Sequence, residues 1–438
     1  MDTPDTNAAL TAADTDAQMV VCCRRPMFSD SRPRPLSRRT LCSRLPFALC
    51  LPAAPTLLGT TRSALAQNNV HFNVSDYDRP NILAAADRAL KQEPETPTRF
   101  PSPVKGLEGG AYYSEDVAWW PVDGSTSNVF SRQPGRVNPR AFTAHQDAAV
   151  RMNGHVAACV AAWRLTGEQQ YAKHAMAHLR AWFMDEGTRM LPHLEHAGAK
   201  PGEPDGSPHG VEETVMLAET ARAASFLCAY NGVASEVEAA ALRKWFGDFA
   251  LWLNESKKGF IARETKDRLA ICWTLQAAAG ARFAKNDALL LECLHRFRDK
   301  LLRQMNFDGQ FSAELQRPDA YAASIFTLDC LSVLCETLSS PMDRLWDYTL
   351  PDGRGMRSAI AFLFPSLENR AAWKLPADAE HFSSWPARQP TLLLAGRAYD
   401  RPEYIGAWKR LPIEPGPPTL LRYFPVRQAS LWTVRAPA

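Results

Sequence analysis

The sequence predicts an all-α chain of antiparallel helical hairpins, and three observations carry that prediction. From His145 onward, apolar residues recur at spacings of three and four in segment after segment, without the alternation that marks strands. The segments have ordinary helix length. The breaks between them are short, as at Arg164-Leu165-Thr166-Gly167-Glu168 and Arg282-Phe283-Ala284-Lys285-Asn286-Asp287. Short connections make consecutive helices antiparallel neighbours.

In chain order, residues 67–140 are irregular and rich in Pro, Gly and aromatics, with one helix-like stretch at 82–90. Residues 149–165 are Ala-rich and periodic, Thr166-Gly167 breaks the pattern, and 170–183 resumes it. A Gly/Pro loop spans 190–210. Helices are then predicted at 211–230, 237–253, 269–283, 288–305, 322–338 and 356–364. After Pro365 the pattern is lost, and Trp373, Trp385, Trp408 and Trp432 are expected to pack back onto the helical body. Periodicity leaves open whether the hairpins form an open array or close into a ring.

The chain has 438 residues, 46% hydrophobic and 22% charged, enough apolar material for a packed core. Its formal charge is +3, and the surplus lies at one end: residues 1–66 hold 8 Arg, no Lys and 5 Asp, leaving 42 basic and 42 acidic residues in 67–438. A near-neutral body carries no electrostatic footprint for nucleic acid or an anionic membrane. No obligate protein partner is indicated. There is no GxGxxG, GxxxxGK, HExxH or GxSxG motif, and no cofactor is expected.

Residues 1–66 read as a signal peptide. Ser37-Arg38-Arg39-Thr40-Leu41-Cys42 opens an apolar stretch at 45–58, and Ser63-Ala64-Leu65-Ala66 places small residues before Gln67. The paired arginines suggest the twin-arginine route, so the periplasm or the exterior is the expected location. Met19 and Met27 are alternative starts, and a basic leader with no export role is the competing reading. The apolar stretch is short and Pro-rich for a membrane span, so membrane insertion is not expected. Residues 67–438 read as a single domain. Its six cysteines, Cys159, Cys228, Cys272, Cys293, Cys330 and Cys335, form no CxxC pair and read as buried thiols.

An ordered set of loop and helix motifs resembles the alginate lyase superfamily, the helical-toroid polysaccharide lyases acting on uronic acids. It runs from Trp120-Pro121 with Asp123-Gly124 and Gly135-Arg136-Val137-Asn138-Pro139 to Leu165-Thr166-Gly167 and Thr188-Arg189-Met190-Leu191-Pro192-His193-Leu194. Cys272-Trp273 with Gln276, Glu314-Leu315-Gln316-Arg317, Asp352-Gly353-Arg354 and Ala395-Gly396-Arg397-Ala398-Tyr399 continue it. The resemblance covers about residues 110–400 and implies an incomplete (α/α) toroid with a sugar-binding cleft. It also implies an acidic polysaccharide or oligosaccharide as partner.

The departures bear on mechanism. If Cys272-Trp273 sets the register, the Asn-Asn-His run of the superfamily falls on Asp267, Arg268 and Leu269, and its catalytic tyrosine falls on Ala323. The arginine is kept as Arg317. Uronate lysis removes the C5 proton beside a carboxylate and expels the C4 oxygen. It therefore needs a cation or proton donor at the carboxylate, a base at C5 and an acid at the leaving oxygen. Arg317 is the first candidate for the carboxylate, with a salt bridge to Glu314 as its structural alternative. Arg268 is the second, able to clamp bidentately. Asp267 is a cleft candidate or a helix cap.

His193 and His196 are candidates for the base. Their spacing also suits a metal, with His209 and Glu212 as further donors, but no metal site is assigned. The pair Glu212 and Glu213 reads as dipole-compensating acids at a helix start. Tyr321 is the candidate acid, although it lies two residues from the expected register, about 200° around a helix. Trp119 and Trp120 are candidates for an aromatic wall against sugar rings, with core packing as the alternative. The leading reading is a uronate lyase. A toroid glycoside hydrolase using paired carboxylates from Asp267, Glu314 and Glu195 is the second. A catalytically silent glycan-binding protein is the third.

Overall fold

The computed structural model describes residues 72–122, 129–230, 232–435 and 437. The chain divides into units Met1–Gln67 and Asn68–Ala438, and the second holds all the described residues. The leader at 1–66 and the Asp123-Gly124 motif lie outside them.

The helices begin where the sequence supplies caps. The Ala144–Thr166 helix ends on Gly167 at φ 78°, and the Gln169–Phe183 helix returns against it. Gly at this left-handed position costs no Cβ clash. Ser235 and Glu238 form a reciprocal capping box at the start of Glu236–Glu255. Asn286 caps Asp287–Arg296 by accepting from Leu289 N.

Two helices form the inner layer. Arg268–Ala284 and Ala320–Leu338 are buried along nearly their whole length and on every face, as expected of helices that pack on all sides. The first is flanked by Leu217–Ala229, Glu236–Glu255, Asp287–Arg296 and the second inner helix. Gly280 permits the close approach to Glu236–Glu255: a Cβ there would meet Phe246 O at 2.9 Å. Ala320–Leu338 is long and apolar enough to cross a membrane, but its residues are spent on this core. The result is the all-α hairpin architecture that the periodicity predicts.

The differences are local. The predicted 288–305 helix is α-helical over Asp287–Arg296 and widens to a π-helical turn at Phe297–Leu301. The predicted 211–230 helix starts at Leu217, because Pro208–Thr214 is a tight 3₁₀ segment pressed against the neighbouring loop. Pro390–Ala398 and Pro402–Arg410 are helices that the reading after Pro365 lacks. Each is short and opens on Pro, a good first helical residue that interrupts a periodicity search. Trp385, Trp408 and Trp432 are buried in the body as expected, and Trp373 is half-buried. The six cysteines are free thiols.

Four short strands frame one end. β1 (Tyr113–Glu115) pairs in parallel with β4 (His196–Ala199), and β2 (Trp119–Pro121) pairs antiparallel with β3 (Phe130–Arg132). Strands of three or four residues are too short to show alternation in the sequence.

Candidate active site

At this end the helix starts and the strand loops enclose a cavity of about 310 Å³. Its wall takes Arg268 from the first turn of one inner helix, and Arg317, Asp319, Ala322, Ala323 and Phe326 from the entry to the other. His209, Glu212 and Glu213 come from the Pro208–Thr214 segment, and Arg422 and Tyr423 from the Pro418–Tyr423 turn. Gly210 lets the Pro208–Thr214 segment sit here, since a Cβ would lie 2.5 Å from Ala197 Cβ.

One side of the wall is ionic. Arg268 donates Nε–H to Glu212 Oε2 at 2.9 Å and lies 3.7 Å from Asp319 Oδ2 through Nη1. Arg317 donates to Asp319 Oδ1 at 3.0 Å, and its Nε is 3.8 Å from Glu314 Oε2. His209 Nδ1 lies 3.9 Å from Glu212 Oε1. Burial alone would raise the Glu212 carboxyl, but Arg268, His209 and Arg317 outweigh it and bring it to about 2. Burial likewise pulls against the Arg268 charge, and Glu212, Glu314 and Asp319 reverse it. The carboxylates therefore fix both guanidinium planes, while Arg268 Nη2 and Arg317 Nη1 keep donors unpaired among the described residues.

Tyr423 brings a hydroxyl to the cavity that makes no hydrogen bond among the described residues, with its ring 5.9 Å from that of Phe326. Burial pushes its pKa up, against the opposing charges of Arg422 and Arg268.

The sequence candidates separate on this geometry. Arg268 and Arg317 line the cavity, and so does Ala323, the position to which the resemblance assigned the tyrosine. Glu314 stands one layer behind: it is buried and accepts the Arg268 backbone N–H at 2.9 Å. Asp267 caps its helix by accepting from Leu269 N at 3.1 Å, the bland alternative. Tyr321 is fully buried, donates its hydroxyl to Ser366 O at 2.7 Å, and packs on Trp373 and Phe382. Ala322, Ala323 and Phe326 turn the other helix face to the cavity, and Tyr321 is not among its lining residues.

His193 and His196 are not among the residues that line the cavity. His196 Nδ1 donates to Pro204 O at 2.7 Å, fastening its loop. Glu195 between them is bound by Trp252 Nε1 and Lys258. Trp119 and Trp120 lie on β2 behind the rim, with Lys200 Nζ 5.9 Å above the first ring and Arg136 Cζ 5.0 Å above the second. Arg136 itself reaches the cavity. Glu212, Glu213 and His209, which line the cavity but were not candidates for its chemistry in the sequence, gave a signal in the run His209-Gly210-Val211-Glu212-Glu213, which crowds three ionisable side chains beside a tightly packed glycine. Tyr423 gave none.

The fold is an all-α toroid of helical hairpins. A family model described as alginate lyase matches residues 108–373, more than half of the chain. The chain belongs to the alginate lyase family, and with it to the polysaccharide lyases. Among solved structures it is similar to an alginate lyase from Bacteroides ovatus, with 22% identity, 78% of this chain and 92% of that chain covered, and a TM-score of 0.68. It also matches alginate lyase A1-III from Sphingomonas species A1 at 16% identity, 73% and 86% coverage and a TM-score of 0.47. A variant of alginate lyase A1-III complexed with tetrasaccharide matches at 16% identity, 72% and 84% coverage and a TM-score of 0.48. No curated protein matches the chain.

Proposed function

We propose that the protein is a β-eliminating lyase acting on a uronate-containing, alginate-like glycan. The observation that carries this reading is the pair Arg268 and Arg317, each held by carboxylates and each keeping a donor for the cavity. The enolate-like intermediate places extra charge on a carboxylate that is already anionic, and fixed guanidinium donors stabilise it without reorganising.

His209 is the base in this scheme. It takes the C5 proton to leave the enolate-like intermediate, whose collapse forms the C4=C5 bond as the C4–O4 bond breaks, and Glu212 steadies its ring. Tyr423 is the acid, giving its proton to the departing O4. A hydrolase built on Asp267, Glu314 and Glu195 fits less well: Asp267 caps its helix, Glu314 is buried behind Arg268, and Glu195 is bound by Trp252 and Lys258 outside the cavity lining. The leader with Arg38-Arg39 supports export to the periplasm or beyond. Fusing residues 1–66 to a reporter and fractionating the cells tests that part.

Purified protein incubated with a panel of uronic polymers should give a rising ultraviolet absorbance from the unsaturated product. Reducing ends without that rise would support hydrolysis instead. Binding with no turnover on any polymer would leave a silent glycan-binding protein.

A further inference from the structure

Glu213 lies next to Glu212 in the chain and on the same cavity, but it meets a different chemistry. No basic nitrogen among the described residues comes within ion-pair distance of it; its partners are hydroxyls. Tyr112 Oη donates to Glu213 Oε2 at 3.0 Å, and Ser114 Oγ donates to the same oxygen. The Ser114 oxygen also accepts the Gly198 N–H at 2.8 Å, and its one proton is directed at Glu213. Oε2 is thus filled by two donors. A proton carried by this carboxyl belongs on Oε1, which has no partner among the described residues; Glu213 is one of the residues that line the cavity.

A second polar group faces the same space. Gln146 is 5% exposed, lines the cavity, and its amide makes no hydrogen bond among the described residues. Its helix packs against both β1 and the Pro208–Thr214 segment. An amide that reaches a cavity without a protein partner keeps its hydrogen-bonding capacity for a ligand.

We propose that Glu213, carrying its proton on Oε1, and the Gln146 amide together donate hydrogen bonds to the uronate carboxylate that the arginine wall faces. These two neutral groups add to the guanidinium donors of Arg268 and Arg317 from the opposite side of the cavity lining. The inference rests on the lyase reading above and adds a binding group to it. Glu213 keeps its proton throughout, and no net transfer runs through it.

The surroundings favour the protonated form. Burial raises the Glu213 carboxyl to about 7, with the Asp116 charge adding to the rise. The hydroxyls of Ser114 and Tyr112 and the charge of Arg422 pull the other way. Arg422 is partly occupied: its Nε donates to Thr419 O and its Nη2 lies 3.5 Å from Asp147, while its Nη1 has no partner among the described residues.

The test is the pH profile of kcat/KM on a uronic polymer for the wild type, Glu213→Gln and Glu213→Ala, with circular dichroism to verify folding. The wild type should lose activity above about pH 7, by about tenfold per unit. Glu213→Gln keeps a donor at that position that cannot ionise. It should be severalfold slower at neutral pH and lack the alkaline limb, while Glu213→Ala should be slower than Gln at every pH. A purely structural Glu213 would leave the limb in place in the Gln variant, and that result overturns the proposal. Oligouronate binding gives a second readout: affinity should fall as pH rises through 7 in the wild type and not in Glu213→Gln. Equal pH dependence in the two proteins overturns the proposal. A wild type that binds and shows no absorbance gain on any polymer overturns the lyase reading instead.

Discussion

Glu212 and Glu213 are consecutive residues on one cavity, yet its two sides hold them in opposite states. Glu212 meets Arg268 at 2.9 Å and is brought to about 2, while Glu213 meets two hydroxyls and is raised to about 7. Both are held in poorly solvated positions, so desolvation does not separate them. The partner does: a guanidinium repays the desolvation of a carboxylate, and a pair of neutral hydroxyls does so only in part. One wall is permanently ionic and the other can be neutral, a combination suited to a substrate that is itself an anion.

Breaking the ionic wall should have the largest effect. Arg268→Ala leaves Glu212 and Asp319 facing each other without their shared cation, and its side chain is only 8% exposed. Loss of one partner from a buried pair costs about 3–5 kcal/mol. A urea melt should show that loss in midpoint, together with loss of activity. Arg317→Ala is the cleaner probe because its side chain is 32% exposed. Its stability should change by about 1 kcal/mol or less, while kcat/KM on a uronic polymer falls by about 10²–10³-fold. A near-normal kcat/KM would remove Arg317 from the reaction.

The two walls also predict opposite pH dependence of stability. Glu212 has a folded value of about 2 against an ordinary 4.5, so the unfolded chain binds more protons between these values. Its contribution is complete above 4.5 and is lost as pH falls toward 2. Glu213 has a folded value of about 7, so the folded chain holds the extra proton between 4.5 and 7. Its contribution to stability therefore declines as pH rises through that window. Glu213→Gln removes the second effect and keeps an acceptor for Tyr112 and Ser114. Urea midpoints measured from pH 5 to pH 8 should fall in the wild type by the equivalent of about 2–3 kcal/mol more than in the variant. Parallel curves would show that Glu213 is ionised in the folded protein, contrary to the neutral wall.

The fold was legible because helical periodicity is a property of each segment alone. The tail helices Pro390–Ala398 and Pro402–Arg410 escaped because nine residues opened by Pro give too few turns to register. Arg268 and Arg317 were found through the register that Cys272-Trp273 and Glu314-Leu315-Gln316-Arg317 impose, and the cavity position of Ala323 agrees with that register. In the sequence Glu212 and Glu213 read as dipole acids, since nothing local distinguishes such an acid from one opposite a buried arginine. Tyr423 reaches the cavity from a turn about a hundred residues beyond Ala323, a juxtaposition only tertiary packing creates. Tyr321 looked chemically right and faces the wrong way.

The smallest expected effect tests the sharpest disagreement between sequence and structure. His196 sits in a chemically inviting His-x-x-His run, yet its Nδ1 is bonded to the Pro204 carbonyl and it lies outside the set of residues lining the cavity. His196→Ala should therefore cost one loop hydrogen bond, about 1 kcal/mol, and change kcat/KM by less than about threefold. His209→Ala, facing the cavity beside Glu212, should instead slow the reaction by about 10²–10⁴-fold. If the two variants exchange these outcomes, the base belongs to the 190–210 loop. Substrate would then have to approach from the side of Glu195 and Lys258, and the arginine wall would lose its place in the chemistry.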